Sequence, residues 1–269
     1  YLGALWSYGK TTQTSVSALV NHNVNDNWKL NFNTSFQNYE RTSKGTERVS
    51  IDTTIPNYVN GDYIRPLGQN QNFEQIMGQQ LSLQGNFYTG KVKHQLFTGV
   101  DFENSFTQAY TYAFNEKAVK DAKGNYIANA YDRVNIYNLP YANQRMDIPN
   151  ANATRLVNTD SNRFGIYAQD LISLTEKFKV LAGIRWSWQE TQATTIDYTK
   201  KPNTTTEGQK LTDQAFSPKV GLVYQPTKNT SLFASYSNSF TPNTGTTVDG
   251  QAIKPSIIDQ YEVGVKKDF

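Results

Sequence analysis

Cysteine is absent from the 269 residues, so disulfide frameworks, thiol nucleophiles, iron–sulfur centres and cysteine-based zinc motifs are all excluded. Histidine is nearly absent as well, with only His22 and His94, which leaves little for imidazole catalysis or metal ligation. Charge is scarce: 18% of residues are charged, and 26 basic against 23 acidic groups give a net +3, too little to indicate a nucleic-acid partner. No apolar run approaches the roughly 18 residues a membrane-spanning helix requires. A membrane is still open to such a chain, because barrel strands hide apolar residues by alternation. No phosphate-binding glycine loop, EF-hand or HExxH motif occurs. With both histidines on the apolar face near short turns, an interfacial role fits them better than a catalytic one, and an enzyme is not expected.

What the chain has instead is polarity without charge. Mean hydropathy is −0.63 while aromatic residues reach 13%, a combination unlike the aromatic-poor composition of disordered chains. The period is two almost everywhere. In Trp28 to Phe36, Trp28, Leu30, Phe32 and Phe36 alternate with Lys29, Asn31, Asn33 and Ser35. The same rhythm covers Val16 to Val24, Leu81 to Phe87, Val92 to Phe106, Phe164 to Leu174, Phe178 to Trp188, Val220 to Tyr224, Leu232 to Phe240 and Tyr261 to Val265. This predicts about nine strands, with an additional one over 2–8.

Connections fall into two kinds that alternate strictly. Those at 25–27, 89–91, 175–177 and 226–229 are short; those at 43–73, 113–160, 195–213 and 241–256 are long and polar. Long structureless loops argue against a compact soluble domain, whereas outer-membrane barrels pair short periplasmic turns with long extracellular loops. The apolar faces agree. Lys29, Lys93, Lys179, Arg185 and Lys219 all fall on the opposite face, and Asp170 is the one carboxylate on the apolar side. It marks either a protein-facing position or a register shift at a bulge. Aromatics cluster at strand ends (Trp28, Phe87, Phe178, Tyr224) and recur about eight residues on (Phe36, Trp186), as two interfacial girdles would. Leu30, Phe32, Val180, Ile184, Leu222 and Ala234 are expected to face lipid, and Asn31, Lys179, Gly183 and Gly221 the lumen. A soluble β-sandwich would carry more charge outside and shorter loops.

Several words then resemble those of TonB-dependent siderophore receptors. Phe164 to Asp170, followed by Leu181 to Trp186, is similar to the family's "YAQD … GxR" hairpin. Phe216 to Pro226 resembles "SPxxGxxYxP", and Ser231 to Pro242 resembles "SLYASYSxSFxP". Lys254-Pro255 with Gln260 to Lys266 resembles "KPExxxQYEVGxK". The words occupy about the last 40% of the chain, in the family's order.

The resemblance implies an all-β, antiparallel transmembrane meander: nine to ten strands of a 22-stranded barrel, with residues 1–269 one stretch of that barrel and the plug domain not present. It implies an outer-membrane receptor of a Gram-negative bacterium that takes up ferric siderophores with energy from TonB, acting through the plug. The expected partners are an iron(III)-siderophore as ligand, TonB and outer-membrane lipid, with no resident cofactor or metal. Haem, cobalamin or glycan uptake, and a passive porin or adhesin, stand as alternatives. Tyr and Arg supply rigid amphipathic contact and multidentate hydrogen bonds. The long loops hold Tyr58, Tyr63, Arg65, Tyr126, Tyr131, Arg133, Tyr137, Tyr141 and Arg145, the candidate ligand-binding residues. Packing of the loops against one another is the competing role for each. Arg185, inward on its strand, is expected to pair with a carboxylate.

Overall fold

The computed structural model describes residues 3–138, 145–241, 243, 247–249 and 253–268. There is no helix among them. Nine strands form one antiparallel meander: β1 (Tyr8–Asn25), β2 (Trp28–Thr46), β3 (Asp62–Thr89), β4 (Val92–Phe114), β6 (Ala151–Ser173), β7 (Phe178–Asp197), β9 (Leu211–Thr227), β10 (Thr230–Thr241) and β11 (Ser256–Lys267). Two short strands hang off this path. β5 (Ala130–Asn135) pairs with β3, and β8 (Thr204–Glu207) pairs with β7. Among the described residues the sheet does not close, and β1 and β11 are its edges.

Register turns the alternation into two surfaces. Val20, Phe32, Leu81, Val100, Ile166, Trp186 and Phe216 stand side by side across seven strands. One rung away, Asn21, Asn31, Ser82, Gly99, Tyr167, Arg185 and Ser217 form the neighbouring row on the opposite face. Along β6 and the first residue beyond it, the apolar face runs from Phe164 to Leu174. Ten steps of ~3.3 Å at the usual strand tilt span about 25 Å, the height of a barrel's apolar band. Phe32, Ile184, Phe216, Leu222 and Val263 are exposed on that face, as they must be if lipid replaces water there.

The strands overrun the predicted limits. Much of 43–73 and 113–160 is ladder: β3 begins at Asp62 and β6 at Ala151, and β5 lies within what reads as loop. Alternation marks only the stretches in which one face is apolar, while the backbone ladder continues beyond them regardless. The expected strand over 2–8 is not formed by the described residues 3–7. Ala4 is buried with Leu67, Phe114 and Tyr131 instead, its amide donating to Thr46 Oγ1 (2.9 Å).

Asp170 is not at a bulge; it takes protein partners. The β6–β7 register is unbroken through it, and the β4–β6 ladder shifts only at Thr111/Tyr112. Its carboxylate takes the His94 ring instead, Nδ1 to Oδ2 at 2.6 Å. His94 Nε2 meets Thr89 Oγ1 at 2.7 Å, and the ring stacks on Phe87, 4.6 Å between centroids. An apolar-face carboxylate is thus masked by an imidazole at the short-turn edge, with Trp28 stacked beyond Phe87 at 6.2 Å.

Candidate functional site

Among the described residues, both buried hydrophobic clusters lie at the long-loop end. Ala4, Leu67, Phe114 and Tyr131 form one, with Trp6 and Ala151 against it; Ile55, Ile64, Val119 and Ala130 form a second, packed by Tyr58 and Ile127. They exist because β5 folds back onto the start of β3, bringing Tyr63 opposite Val134 and Arg65 opposite Asp132. The loops therefore make a cap with its own interior.

Arg65 and Tyr131 are the largest fully buried side chains, at 1% and 0% exposure. The Arg65 guanidinium donates through Nε and Nη2 to the two Asp132 carboxylate oxygens, the forked geometry that makes arginine–carboxylate pairs strong. Its Cζ lies 5.4 Å from the Tyr131 ring centre, and that of Arg145 lies 4.4 Å away. Trp6 Nε1 donates to the Tyr131 hydroxyl (2.9 Å), which in turn donates toward the carbonyls of Arg145 and Asp147. Burial pushes this phenol above its ordinary pKa. Arg145 also binds Asp147 (2.6 Å) and Glu116 (3.0 Å), and its hydrogen bonds hold the Asp147 carboxyl below the usual range.

Arg133 donates to the carbonyls of Pro56 and Asn57 and lies 3.6 Å from Asp62. The Val59 amide, then the Asn135 side chain, lower the pKa of Asp62. Tyr58 packs on the second cluster and Tyr63 is half-buried. Three candidates are exposed: Arg133, Tyr126 (49%) and Tyr137 (75%). Tyr137 lies against Gly61, whose φ of +90° is open only to glycine at little cost. Tyr141 lies outside the described residues.

The sequence reading missed Lys117 and Lys120, whose ammonium groups stand 6.0 and 4.9 Å from the Tyr126 ring centre. Their charge sign and proximity to a loop tyrosine were the available signal. It also missed Asp132, Glu116 and Asp147, which have no periodic pattern to betray them.

The inner wall carries a second polar cluster. Arg185 pairs with Asp101 through both terminal nitrogens (2.6 and 2.8 Å), as expected of an inward arginine, and lies over Tyr167. Gln80 donates to the Tyr167 hydroxyl at 2.8 Å. Gly165 and Gly99 make room for these side chains: a methyl group would collide with the Arg185 guanidinium at one and crowd the Tyr167 hydroxyl at the other. Among the described residues no group of three His, Asp or Glu side chains could hold a metal ion.

An apolar belt outside, a polar ion-paired wall inside and loops gathered at one edge define a membrane β-barrel wall. The family model for the TonB dependent receptor-like β-barrel matches residues 1–269, and the chain belongs to that family. The metal-pseudopaline receptor CntO of Pseudomonas aeruginosa is 26% identical over 259 residues, 95% of this chain and 33% of CntO. In three dimensions the wall is similar to the siderophore receptor PiuA of Acinetobacter baumannii (TM-score 0.76, 20% identity, 100% of this chain and 39% of PiuA). It is also similar to the closed form of the ferric-catecholate import receptor Fiu from K12 E. coli (TM-score 0.79, 19% identity, 99% and 40%). The chain spans a third of the length of CntO. TonB-dependent receptors are outer-membrane proteins of Gram-negative bacteria, and the family consists of receptors and transporters rather than enzymes.

Proposed function

We propose that this chain is the wall and extracellular cap of an outer-membrane receptor that captures a ferric siderophore for TonB-driven uptake. The short turns then face the periplasm and the long loops the medium. The observation that carries the reading is the cap: long connections at one edge of an apolar-belted sheet, folded on two small cores, with aromatic and cationic side chains left at the surface. Ferric chelates are often anionic and ringed by aromatic or hydroxamate groups, which suits an exposed tyrosine flanked by two lysines. In this reading Tyr126, Lys117, Lys120 and Tyr137 meet ligand. Arg65, Tyr131 and Arg145 set the shape of the cap that presents them, and Arg133 ties two of its loops.

Iron-55 uptake from a panel of ferric siderophores, in a receptor-deficient Gram-negative host expressing the full-length protein with and without functional TonB, tests this directly. Uptake of at least one chelate that stops without TonB is expected. Uptake of haem or cobalamin alone, or TonB-independent flux of small solutes, would replace the reading by one of those transport classes.

A further inference from the structure

The chain's positive charge is concentrated at one edge. The stretches 25–29, 88–93, 174–179, 225–231 and 266–268 carry eight lysines against Asp26, Glu176 and Asp268; the rest of the chain keeps 18 basic groups against 20 acidic ones. The structure brings these stretches together as the short-turn rim of the sheet. A chain with modest net charge is thus strongly basic at one end and slightly acidic elsewhere.

Lys267 apart, the rim lysines divide by direction. Lys29, Lys93, Lys179 and Lys266 alternate with lipid-facing neighbours and so fall on the luminal face. Lys91, Lys177 and Lys228 occupy the tips of three successive tight connections, exposed, and among the described residues they make no ion pair. Directly above them on the outer face lies the apolar belt, ending in exposed Leu174, Tyr224 and Leu232 and in the Trp28–Phe87–His94 stack. Aromatic side chains at a membrane boundary mark the headgroup level, which places the three ammonium groups among or just below the headgroups. Three unpaired cations at that depth are matched by anionic groups in the same plane. The carboxylate that intrudes into the belt, Asp170, is occupied by His94 and a backbone amide and does not offset them.

We infer that the short-turn rim, through Lys91, Lys177 and Lys228, is a binding surface for anionic phospholipid headgroups of the leaflet it faces. The inference rests on the membrane reading above. Acidic lipid next to a basic rim is favoured by both local pairing and the leaflet's negative surface potential. The luminal lysines add to the field without reaching lipid.

The test uses the full-length protein in nanodiscs of equal phosphatidylcholine and phosphatidylglycerol, with native mass spectrometry reading the lipids retained after release. Heat-modifiable migration in detergent gels reports the folded barrel independently. Wild type should retain phosphatidylglycerol over phosphatidylcholine by about fivefold or more, and raised salt should erase the preference. Replacing the three tip lysines together (K91Q, K177Q, K228Q) should remove most of it with heat-modifiability intact. Equal retention of both lipids by folded wild type, or an unchanged preference in that triple variant, would overturn the inference. Loss of preference only on replacing the luminal Lys29, Lys93 and Lys179 would also overturn it. Failure of wild type to form a heat-modifiable barrel would instead bring down the membrane reading itself.

Discussion

The wall and the cap of this chain obey opposite rules. In the wall, large apolar side chains such as Phe216 and Val263 are exposed and the ion pairs Arg185–Asp101 and Arg163–Glu103 face inward. In the cap, apolar side chains such as Leu67, Phe114, Ile55 and Ile64 gather into two small buried clusters, as in a water-soluble domain, while Ile51, Val59 and Ile148 stay exposed. One chain switches between the two within single strands: β3 starts in the cap at Asp62 and ends at the short-turn rim at Thr89. What changes along that strand is the side-chain pattern, not the backbone. Where lipid is the solvent, polarity must point in; where water is, it must point out.

The contrast predicts how the two halves break. Ile184→Lys puts a charge in the middle of the belt and should cost about 2–4 kcal/mol, read as loss of heat-modifiable barrel and of membrane assembly. Asn31→Lys, on the luminal row, should leave both nearly unchanged; equal damage from the two would abolish the assignment of faces. Lysine at Gly183 is a poorer control, because any side chain there meets Gln169.

Asp132→Ala removes the carboxylate that the Arg65 fork holds, at about 2–3 kcal/mol, toward the low end for breaking a buried pair because Asp132 retains some contact with water. The damage should stay in the cap: protease cleavage between 115 and 150 should rise while the wall keeps its heat-modifiability. Collapse of the whole barrel would show that the two halves are one cooperative unit. Gly165→Ala should cost about 1–3 kcal/mol by forcing Arg185 from its place, measured by urea titration, and in an Arg185→Ala background the same substitution should cost little more than Arg185→Ala alone.

The smallest effect is pH-dependent and confined to the cap. Asp62 and Asp147 have folded pKa values below the ordinary one. Their contribution is complete above the unfolded carboxylate pKa of about 4 and disappears as pH falls through the lowered folded values. Trp6 reports this, since it packs on Tyr131. In a full-length variant whose other tryptophans, Trp28, Trp186 and Trp188 among them, are changed to Phe, its fluorescence should hold from neutral pH to about 4 and change below. A transition near neutrality would exclude these carboxylates as its cause.

Alternation with period two, read from residues such as Leu30, Phe32, Val180 and Ile184, was enough to find the nine meander strands and to separate an apolar face from a polar one, but not to set the strand limits or to find β5 and β8. One solvent on each face enforces that pattern residue by residue, so it is written locally. The recurring words near Tyr167, Pro218, Ser235 and Tyr261 were enough for the family. The cap was not legible in this way. Arg65 and Asp132 are 67 residues apart, and Trp6 and Tyr131 are 125 apart; no period links them, so their partnership exists only once β5 has folded onto β3. The same holds for His94 and Asp170, 76 residues apart, which read singly as an interfacial histidine and a misplaced acid. Solvent contact leaves its mark along the chain, whereas long-range pairing is decided by the tertiary structure that brings the partners together.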